Sequence, residues 1–309
     1  MTNSDPIDLA IIGAGPAALA AAIYTTREDI KTVLFEKEIP GGLVATTDWV
    51  ENYPGFPEGV SGLDLATKMK EQAEKFGAEI RYGEVMAITA SDGLKELETT
   101  DGNVKAKTVI IATGSSHRKM KVPGEDEFYG KGVHFCATCD GAFYRDKKLA
   151  VVGGGNSAVQ EALFLLKYAT HIDLLVRSEV KASEILLHKL QKVIDEGKVT
   201  VHLKTTVQEV AGEGGKFTGL KLLKDGKDEF LKVDGSFVFI GLVPNTGFLK
   251  ESAVKLDESG FIATDIHLET SMSGVYAAGD VRSGAEQQIA TATGEGVYAA
   301  LRVSELLDK

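Results

Sequence analysis

The sequence is poor in the groups that metal, membrane or nucleic-acid binding demands. Its 309 residues include two cysteines and six histidines. The histidines show no paired spacing, so the four ligands of a closed structural zinc site are not at hand and no metal is expected. Cations are in the minority, with 34 Lys and Arg against 45 Asp and Glu and a formal net charge of −11. Such a surface repels phosphate backbones and anionic lipid, which removes nucleic acid and the membrane from the expected partners. No apolar run approaches the roughly 18 residues of a membrane span. The opening Met1-Thr2-Asn3-Ser4-Asp5-Pro6 has neither a basic start nor an apolar stretch, so no secretory leader is expected and a cytoplasmic location is.

What is there reads as an ordered, turn-rich chain. Apolar residues make up 43 % and glycine fills 34 positions, a composition of folded protein. The length allows about two domains of roughly 150 residues, each with its own core. The two cysteines stand together as Cys136-Ala137-Thr138-Cys139. At that spacing a disulfide can close, because the Cα separation falls within the bridging range of about 4.4–6.8 Å. Half a zinc site and a pair of buried apolar thiols compete with this reading. His134 alone cannot complete the zinc site, and buried structural thiols have no reason to be neighbours. A redox dithiol placed between two nucleotide signatures is therefore expected.

The first signature opens the chain. Asp8 to Ile12 is an apolar strand, followed by Gly13-Ala14-Gly15-Pro16-Ala17-Ala18 and a helix expected over Leu19 to about Thr26. Strand, glycine turn and helix in this order make a dinucleotide site. Gly13 permits the tight turn, Gly15 lets the backbone approach a pyrophosphate, and Ala18 keeps helix and strand close. The helix N-terminus then faces the phosphates. Glu36 closes the next strand, Thr32–Phe35, and is placed to accept hydrogen bonds from ribose hydroxyls.

The pattern repeats at Lys148–Val152, with the turn Gly153-Gly154-Gly155-Asn156-Ser157-Ala158 and a helix expected from Val159 to about Tyr168. Where the first unit has Glu36 the second has Val176, so the ribose loses its acidic acceptor. Arg177 and Lys181 offer positive charge there instead, which favours NADPH over NADH; the bland alternative is two ordinary surface cations.

Apolar stripes at Leu65, Met69, Ala73 and Phe76, and at Leu186, Leu190 and Val193, belong to core-facing helices over Asp64–Phe76 and Ser183–Glu196. Segments around Ile80–Ile88, Lys95–Thr100 and Val104–Ile111 alternate and end at turns, as expected of a small antiparallel appendage. Val199–Val210, Leu220–Leu223 and Phe230–Val233 repeat it before Ser236–Ile240. The first domain is incomplete at Ser116, and Gly274–Asp280 with a helix over Gly294–Leu307 can finish it. The expected architecture is α/β: two Rossmann-like nucleotide-binding domains, the second inserted into the first, each with a small antiparallel β appendage. Residues 1–116 and 247–309 form the first domain and 117–246 the second, which carries the cysteines. Two linkers, near Ser116–Lys121 and Val243–Phe248, permit a hinge.

Along its whole length the chain resembles the low-molecular-weight thioredoxin reductases. The resemblance is carried by Gly13–Ala18, Glu51-Asn52-Tyr53-Pro54-Gly55-Phe56-Pro57, Ala112-Thr113-Gly114, Cys136–Cys139 with Asp140-Gly141, Gly153–Ala158, Gly241-Leu242-Val243-Pro244-Asn245 and Gly279-Asp280. It implies a homodimeric FAD enzyme that passes electrons from NADPH through flavin to its cysteine pair and on to the disulfide of thioredoxin. It also implies alternation between arrangements in which the nicotinamide or the dithiol meets the flavin. By matching position, Cys139 is the thiol nearer the flavin, Cys136 attacks the partner disulfide, and Asp140 protonates the departing thiolate. FAD is implied to lie against Gly13, Gly15, Pro16, Ala17, Ala18, Glu36, Lys37, Gly42, Thr47, Asn52, Ala112, Thr113, Gly114, Gly279, Asp280, Gln288 and Ile289. The nicotinamide nucleotide is implied to take Gly153, Gly155, Asn156, Ser157, Ala158, Arg177 and Lys181. The assigned chemistry is sensible in itself, since only a thiolate attacks a disulfide and a carboxyl can return the proton.

The chain departs from the family pattern at several positions. Val176-Arg177-Ser178 with Lys181 replaces a denser arginine run, which leaves NADH or another electron donor as alternatives to NADPH. Leu43 stands where a glutamine usually follows Gly41-Gly42, and Gln287 where an arginine usually precedes Gln288. His134 is also unusual. As an imidazolium it would lower the pKa of a nearby thiol, but a solvent-exposed spectator is the expected role. Functions competing with a thioredoxin reductase are a reductase driven by ferredoxin or reduced flavin, a flavin dithiol oxidase, and a flavin-binding redox sensor. The intact glycine turn at Gly153–Ala158 argues against the oxidase, which needs no nicotinamide site.

Overall fold

The computed structural model describes residues 6–47 and 49–308, without the side chains of Thr138 and Cys139. The opening Met1–Asp5, read above as leaderless, lies outside the described residues. Packing divides the chain into one unit of Met1–Ser116 and Val243–Lys309 and another of His117–Leu242.

In the first unit, the strand Ile7–Ile12 is buried at all but one position. A continuous apolar run of this kind suits a parallel sheet covered on both faces. It pairs in parallel with Thr32–Glu36 on one side and Gly102–Ile111 on the other. Glu79–Tyr82 extends the sheet beyond Thr32–Glu36, and Val275–Ala277 pairs with Gly102–Ile111, both in parallel. Val85–Ser91 and Leu94–Thr99 form an antiparallel hairpin that runs on into Gly102–Ile111. That ten-residue strand joins the antiparallel and parallel parts of one sheet, pairing Leu94–Thr99 along its first half and Ile7–Ile12 along its second. The stretch Ile80–Ile88, expected as one segment, is thus split between a parallel edge strand and the hairpin. Gly83 makes the break, its N–H donating to the Glu36 carbonyl at 2.9 Å.

Three helices cover this sheet. Pro16–Arg27 starts three residues before the expected Leu19, because Pro16 takes the first helical position, where a missing N–H costs nothing. Gly62–Lys75 is capped by Ser61 and turns Leu65, Met69 and Ala73 inward; Phe76, expected on that stripe, sits at the C-cap and is exposed. Ile289–Leu307 starts five residues before the expected Gly294, since glycine there does not break the helix. It runs close to Pro16–Arg27: a Cβ on Gly296 would lie 2.0 Å from the Ala17 carbonyl oxygen.

The second unit repeats the plan. Its parallel sheet runs in the order Val133–His134, Gly235–Val238, Lys148–Val152, His171–Leu175, Val199–His202. Helices Asn156–Leu165 and Glu184–Asp195 pack on it around Leu149, Leu165, Ile172 and Phe237. Thr205–Glu213, Lys216–Lys224 and Lys227–Leu231 form the antiparallel appendage. The second crossing between units falls at Leu242/Val243, four residues before the expected position. The hydrogen bonds of Asn245 account for this, because they all join the first unit: its N–H donates to Gly114 O at 3.0 Å, and its carboxamide donates to Thr113 O at 2.9 Å.

Candidate active site

The first glycine turn is shaped by one close approach and one open space. Gly13 has φ +103°, and a Cβ there would lie 2.5 Å from the Ala112 carbonyl oxygen, so no larger residue fits. Gly15 has an extended φ of −76° and a Cβ on it would meet nothing within 4 Å. The space beside Gly15 is therefore unfilled by protein. The helix behind it has no side-chain cap and no acidic residue in its first turn, with Pro16, Ala17 and Ala18 leading it. Free N–H groups at an uncapped helix end attract an anion. The helix Gly62–Lys75, by contrast, has Ser61 as a cap and Asp64 in its first turn.

Glu36 reaches back to this turn. Its carboxylate accepts the Ala14 N–H at 2.7 Å and the Glu38 N–H at 2.8 Å. Each bond uses one lone pair of one oxygen, which leaves acceptor capacity for a hydroxyl pair. Lys37 beside it is exposed and lies 3.8 Å from Glu38 and 3.9 Å from Glu84. Gly42 lies across from Gly15, a Cβ on it being 3.6 Å from the Gly15 Cα. Thr47 donates its hydroxyl to the Leu43 carbonyl at 3.0 Å. Asn52 and Gln288, 236 residues apart, meet through Asn52 Nδ2 donating to Gln288 Oε1 at 3.0 Å, with Ile289 opening the helix behind them. Gln287 holds φ +53°, a left-handed conformation that side-chain-bearing residues rarely adopt. Ala112-Thr113-Gly114 leaves the sheet at the strand end, with the Thr113 hydroxyl donating to Asn245 O at 2.9 Å.

Gly279 and Asp280 are held from behind by a pair that sequence reasoning did not assign. Glu295 accepts the Gly279 N–H at 2.8 Å and also binds Arg282 through two guanidinium nitrogens. Burial, reinforced by the Glu295 charge, pushes the Asp280 carboxyl up to about 6 from its ordinary 3.8. A lone acid among Ala, Thr and Gly near the start of the last helix was the available signal for Glu295. Asn245, which ties down Thr113 and Gly114, was legible only as part of the Gly241–Asn245 motif.

The second turn is built alike. Gly153 has φ +141° with a would-be Cβ 2.2 Å from the Phe239 carbonyl oxygen, while Gly155 again has open space beside it. The helix Asn156–Leu165 lacks both a cap and an early acidic residue. Asn156 turns sideways, its Oδ1 accepting the Ser183 N–H at 2.7 Å. Ser157 is exposed and Ala158 buried. Val176 is buried, and Arg177 and Lys181 are exposed. Lys181 Nζ lies 3.2 Å from Glu179 Oε1, and no ion pair holds Arg177 among the described residues.

Between the edge strand Val133–His134 and Lys148–Val152 lies the cysteine segment. Cys136 is disulfide-bonded, and the sequence holds one other cysteine, Cys139. The short helix Ala137–Asp140 carries that residue, whose side chain lies outside the described residues. The Asp140 N–H reaches the Cys136 carbonyl at 3.3 Å, one turn on. His134, expected to be a solvent-exposed spectator, is buried, with 4 % of its surface exposed. Pairing of its strand with Gly235–Val238 stacks the ring on Phe237, centroid to centroid at 5.1 Å.

A fold of two glycine-turn units, one of them bearing a disulfide, defines a nucleotide-dependent redox protein. Over residues 7–296 the sequence matches the pyridine nucleotide-disulphide oxidoreductase family, and the chain belongs to that family. It is 42 % identical to the thioredoxin reductase of Listeria monocytogenes over 305 residues, 98 % of this chain and 94 % of that one. It is 39 % identical to the thioredoxin reductase of Bacillus subtilis over 311 residues, 100 % of this chain and 97 % of that one. Among solved structures, the Lactococcus lactis thioredoxin reductase superposes with a TM-score of 0.91 at 37 % identity, covering 98 % of this chain and 99 % of that one. No helix among the described residues is long and apolar enough to cross a membrane.

Proposed function

We propose that this protein is a thioredoxin-disulfide reductase that passes electrons from NADPH through FAD and the Cys136/Cys139 dithiol to oxidised thioredoxin. The carrying observation is the disulfide-bonded Cys136 at the head of the Ala137–Asp140 turn, in the unit that also holds the second glycine turn. The names of relatives at 39–42 % identity over nearly the whole chain support the same reading.

FAD fits the first unit: the open space at Gly15, the uncapped helix starting at Pro16 and the spare acceptors of Glu36 suit a pyrophosphate and a ribose. Gly42, Thr47, Asn52, Ala112–Gly114, Gly279, Asp280, Gln288 and Ile289 would line the rest, with Lys37 at the adenosine end. When bound, FAD supplies a two-electron relay between nicotinamide and dithiol. Gly153, Gly155, Asn156, Ser157 and Ala158 would hold the nicotinamide nucleotide, with Arg177 and Lys181 facing its 2′-phosphate.

In the reduced protein the Cys136 thiolate attacks one sulfur of the thioredoxin disulfide. The Cys136–sulfur bond forms, the partner S–S bond breaks, and Asp140 gives its proton to the departing thiolate. Cys139 gives its proton to Asp140 and attacks Cys136 as a thiolate, so the Cys136–partner bond breaks, the internal disulfide is restored, and the second partner sulfur leaves as a thiolate that takes its proton from solvent. We further propose a homodimer acting in the cytoplasm. The engagement of Lys181 by Glu179 favours a second reading for the donor alone, NADH.

The test is to mix the flavin-loaded protein anaerobically with NADPH or NADH, follow the flavin band, and then add oxidised thioredoxin. Rapid bleaching by NADPH and recovery of the band on thioredoxin addition is the expected result. Cys136→Ser should bleach and fail to recover. Turnover of thioredoxin by that variant would sink the exchange role, and bleaching only by a dithiol or reduced ferredoxin would replace the donor.

A further inference from the structure

His134 sits where two groups meet its ring. Nε2 lies 2.7 Å from the Tyr144 hydroxyl, and Nδ1 lies 2.9 Å from Asp140 Oδ2. The second contact is off the axis of an aligned hydrogen bond, and among the described residues the buried Nδ1 has no hydrogen-bond partner. Among the described residues, an acidic oxygen is thus the one group offered to a nitrogen that water does not reach.

The ring is fixed on its other faces. It stacks on Phe237 and meets Tyr144 edge-on, with centroids 5.3 Å apart, and Tyr144 in turn stands edge-on to Phe237 at 5.7 Å. Gly235 makes room for Tyr144: a Cβ there would lie 2.5 Å from its ring. Burial, with the charges of Asp140 and Asp234, pushes the Tyr144 hydroxyl up to about 12. Tyr144 therefore keeps its proton and can donate it to Nε2. With Nε2 accepting, a neutral imidazole must carry its hydrogen on Nδ1, the atom that faces Asp140.

We propose that His134 is a positioning residue for Asp140, its Nδ1 edge facing Oδ2 of the carboxyl at 2.9 Å as a polar contact while Tyr144 sets the tautomer. This rests on the reading of Asp140 as the acid of the thioredoxin half-reaction. The contact occupies one carboxyl oxygen and leaves Oδ1 to carry the proton to the departing thiolate. Asp140 is also tethered through its N–H to the Cys136 carbonyl, so the acid is held from both sides of the cysteine turn. The imidazole forms no bond to the partner and its own protonation does not change in the step.

Two substitutions separate this role from mere core packing. Asparagine at 134 keeps a nitrogen at the place of Nδ1, whereas glutamine keeps one at the place of Nε2. Flavin-loaded full-length variants are reduced anaerobically, then mixed with oxidised thioredoxin in a stopped-flow instrument; flavin reduction by NADPH is timed separately. H134Q should slow the thioredoxin half-reaction about 10-fold, as expected when a catalytic acid loses its alignment. H134N should stay within about 3-fold of wild type, and both should reduce flavin at the wild-type rate. H134Q/D140N should be no slower than D140N alone, because both changes act through one carboxyl. Equal slowing by H134N and H134Q, or a wild-type rate in H134Q, would overturn the positioning role. A wild-type rate in D140N would instead overturn the reading of Asp140, whatever His134 does.

Discussion

The carboxamide of Asn156 accepts the backbone N–H of Ser183 at 2.7 Å, and the Lys181 N–H donates to the Gly154 carbonyl at 2.6 Å. The segment bearing Lys181 is thereby pinned to the second glycine turn, so in the proposed function it would read a 2′-phosphate next to where the pyrophosphate would lie. Of the two cations there, Lys181 is engaged by Glu179 and Arg177 is not. A charge-assisted hydrogen bond to phosphate is worth about 1.5–3 kcal/mol. Arg177→Ala should therefore lower kcat/KM for NADPH by roughly 10- to 100-fold, through KM, and leave NADH unchanged. Lys181→Ala should cost less, and Glu179→Gln, which releases Lys181, should improve NADPH use by about 2- to 5-fold. Steady-state kinetics with both nucleotides check all three. An Arg177 variant that treats the two nucleotides as wild type does would remove it from phosphate recognition.

Gly13, expected to permit the tight turn, and Gly15, expected to let a pyrophosphate approach, have different surroundings in the structure. Gly13→Ala places a Cβ 2.5 Å from the Ala112 carbonyl oxygen at φ +103°. Backbone strain and overpacking together should cost about 2–5 kcal/mol and lower Tm even in flavin-free protein. Gly15→Ala adds its methyl to open space at an ordinary φ, so the flavin-free protein should melt as wild type does. Its Cβ would stand where a pyrophosphate must approach, and the purified protein should hold little flavin. A Gly15→Ala protein with a full complement of FAD would show that the space beside Gly15 is not the phosphate site.

These two glycines also show what was legible in the sequence. The apolar strand, glycine turn and small-residue helix are local patterns, and each forms where it was expected, apart from a helix start shifted by Pro16. Phe76 and His134 were misjudged because burial is decided by the partner surface. The strand Val133–His134 is two residues long and has no periodicity of its own; the facing Phe237 and the edge-on Tyr144 make His134 a core residue. Glu36 was legible as an acid at a strand end, whereas its bonds to the Ala14 and Glu38 N–H groups were not. Glu295 and Arg282, which hold Gly279, lie in segments without any motif.

The close crossing of Pro16–Arg27 and Ile289–Leu307 depends on Gly296. Replacing an exposed helical glycine by alanine ordinarily stabilises by about 0.4–1 kcal/mol. At Gly296 the new Cβ would lie 2.0 Å from the Ala17 carbonyl oxygen, and forcing the helices apart should cost about 1–3 kcal/mol instead. Because Glu295 on the same helix carries the Gly279 N–H, Gly296→Ala should weaken flavin retention together with stability. Gly294→Ala, where a Cβ meets nothing within 4 Å, serves as the control and should keep or raise Tm. A Gly296→Ala protein as stable as the control would show that the helices do not need this contact.

If Asp280 receives FAD as proposed, stability and cofactor binding oppose each other at this residue. In the folded protein its carboxyl titrates at about 6, against an ordinary 3.8, because burial and the Glu295 charge disfavour the anion. Between about pH 4 and pH 6 the folded chain thus keeps a proton that the unfolded chain has released. Stability from this group falls as pH rises through that window, and the full penalty applies above it. A displacement of this size corresponds to roughly 3 kcal/mol, reduced to about half by the water that still reaches the partly buried side chain. Asp280→Asn, which never ionises, should therefore raise the Tm of flavin-free protein by about 2–6 °C at pH 7.5. The gain should vanish near pH 4, where wild type is neutral in both states. The same variant should bind FAD more weakly, since a carboxylate that is costly to the empty fold is retained for what it accepts from the cofactor. A Tm difference that is flat from pH 4 to pH 8 would mean that Asp280 is not held near 6, and the opposition between stability and binding would go with it.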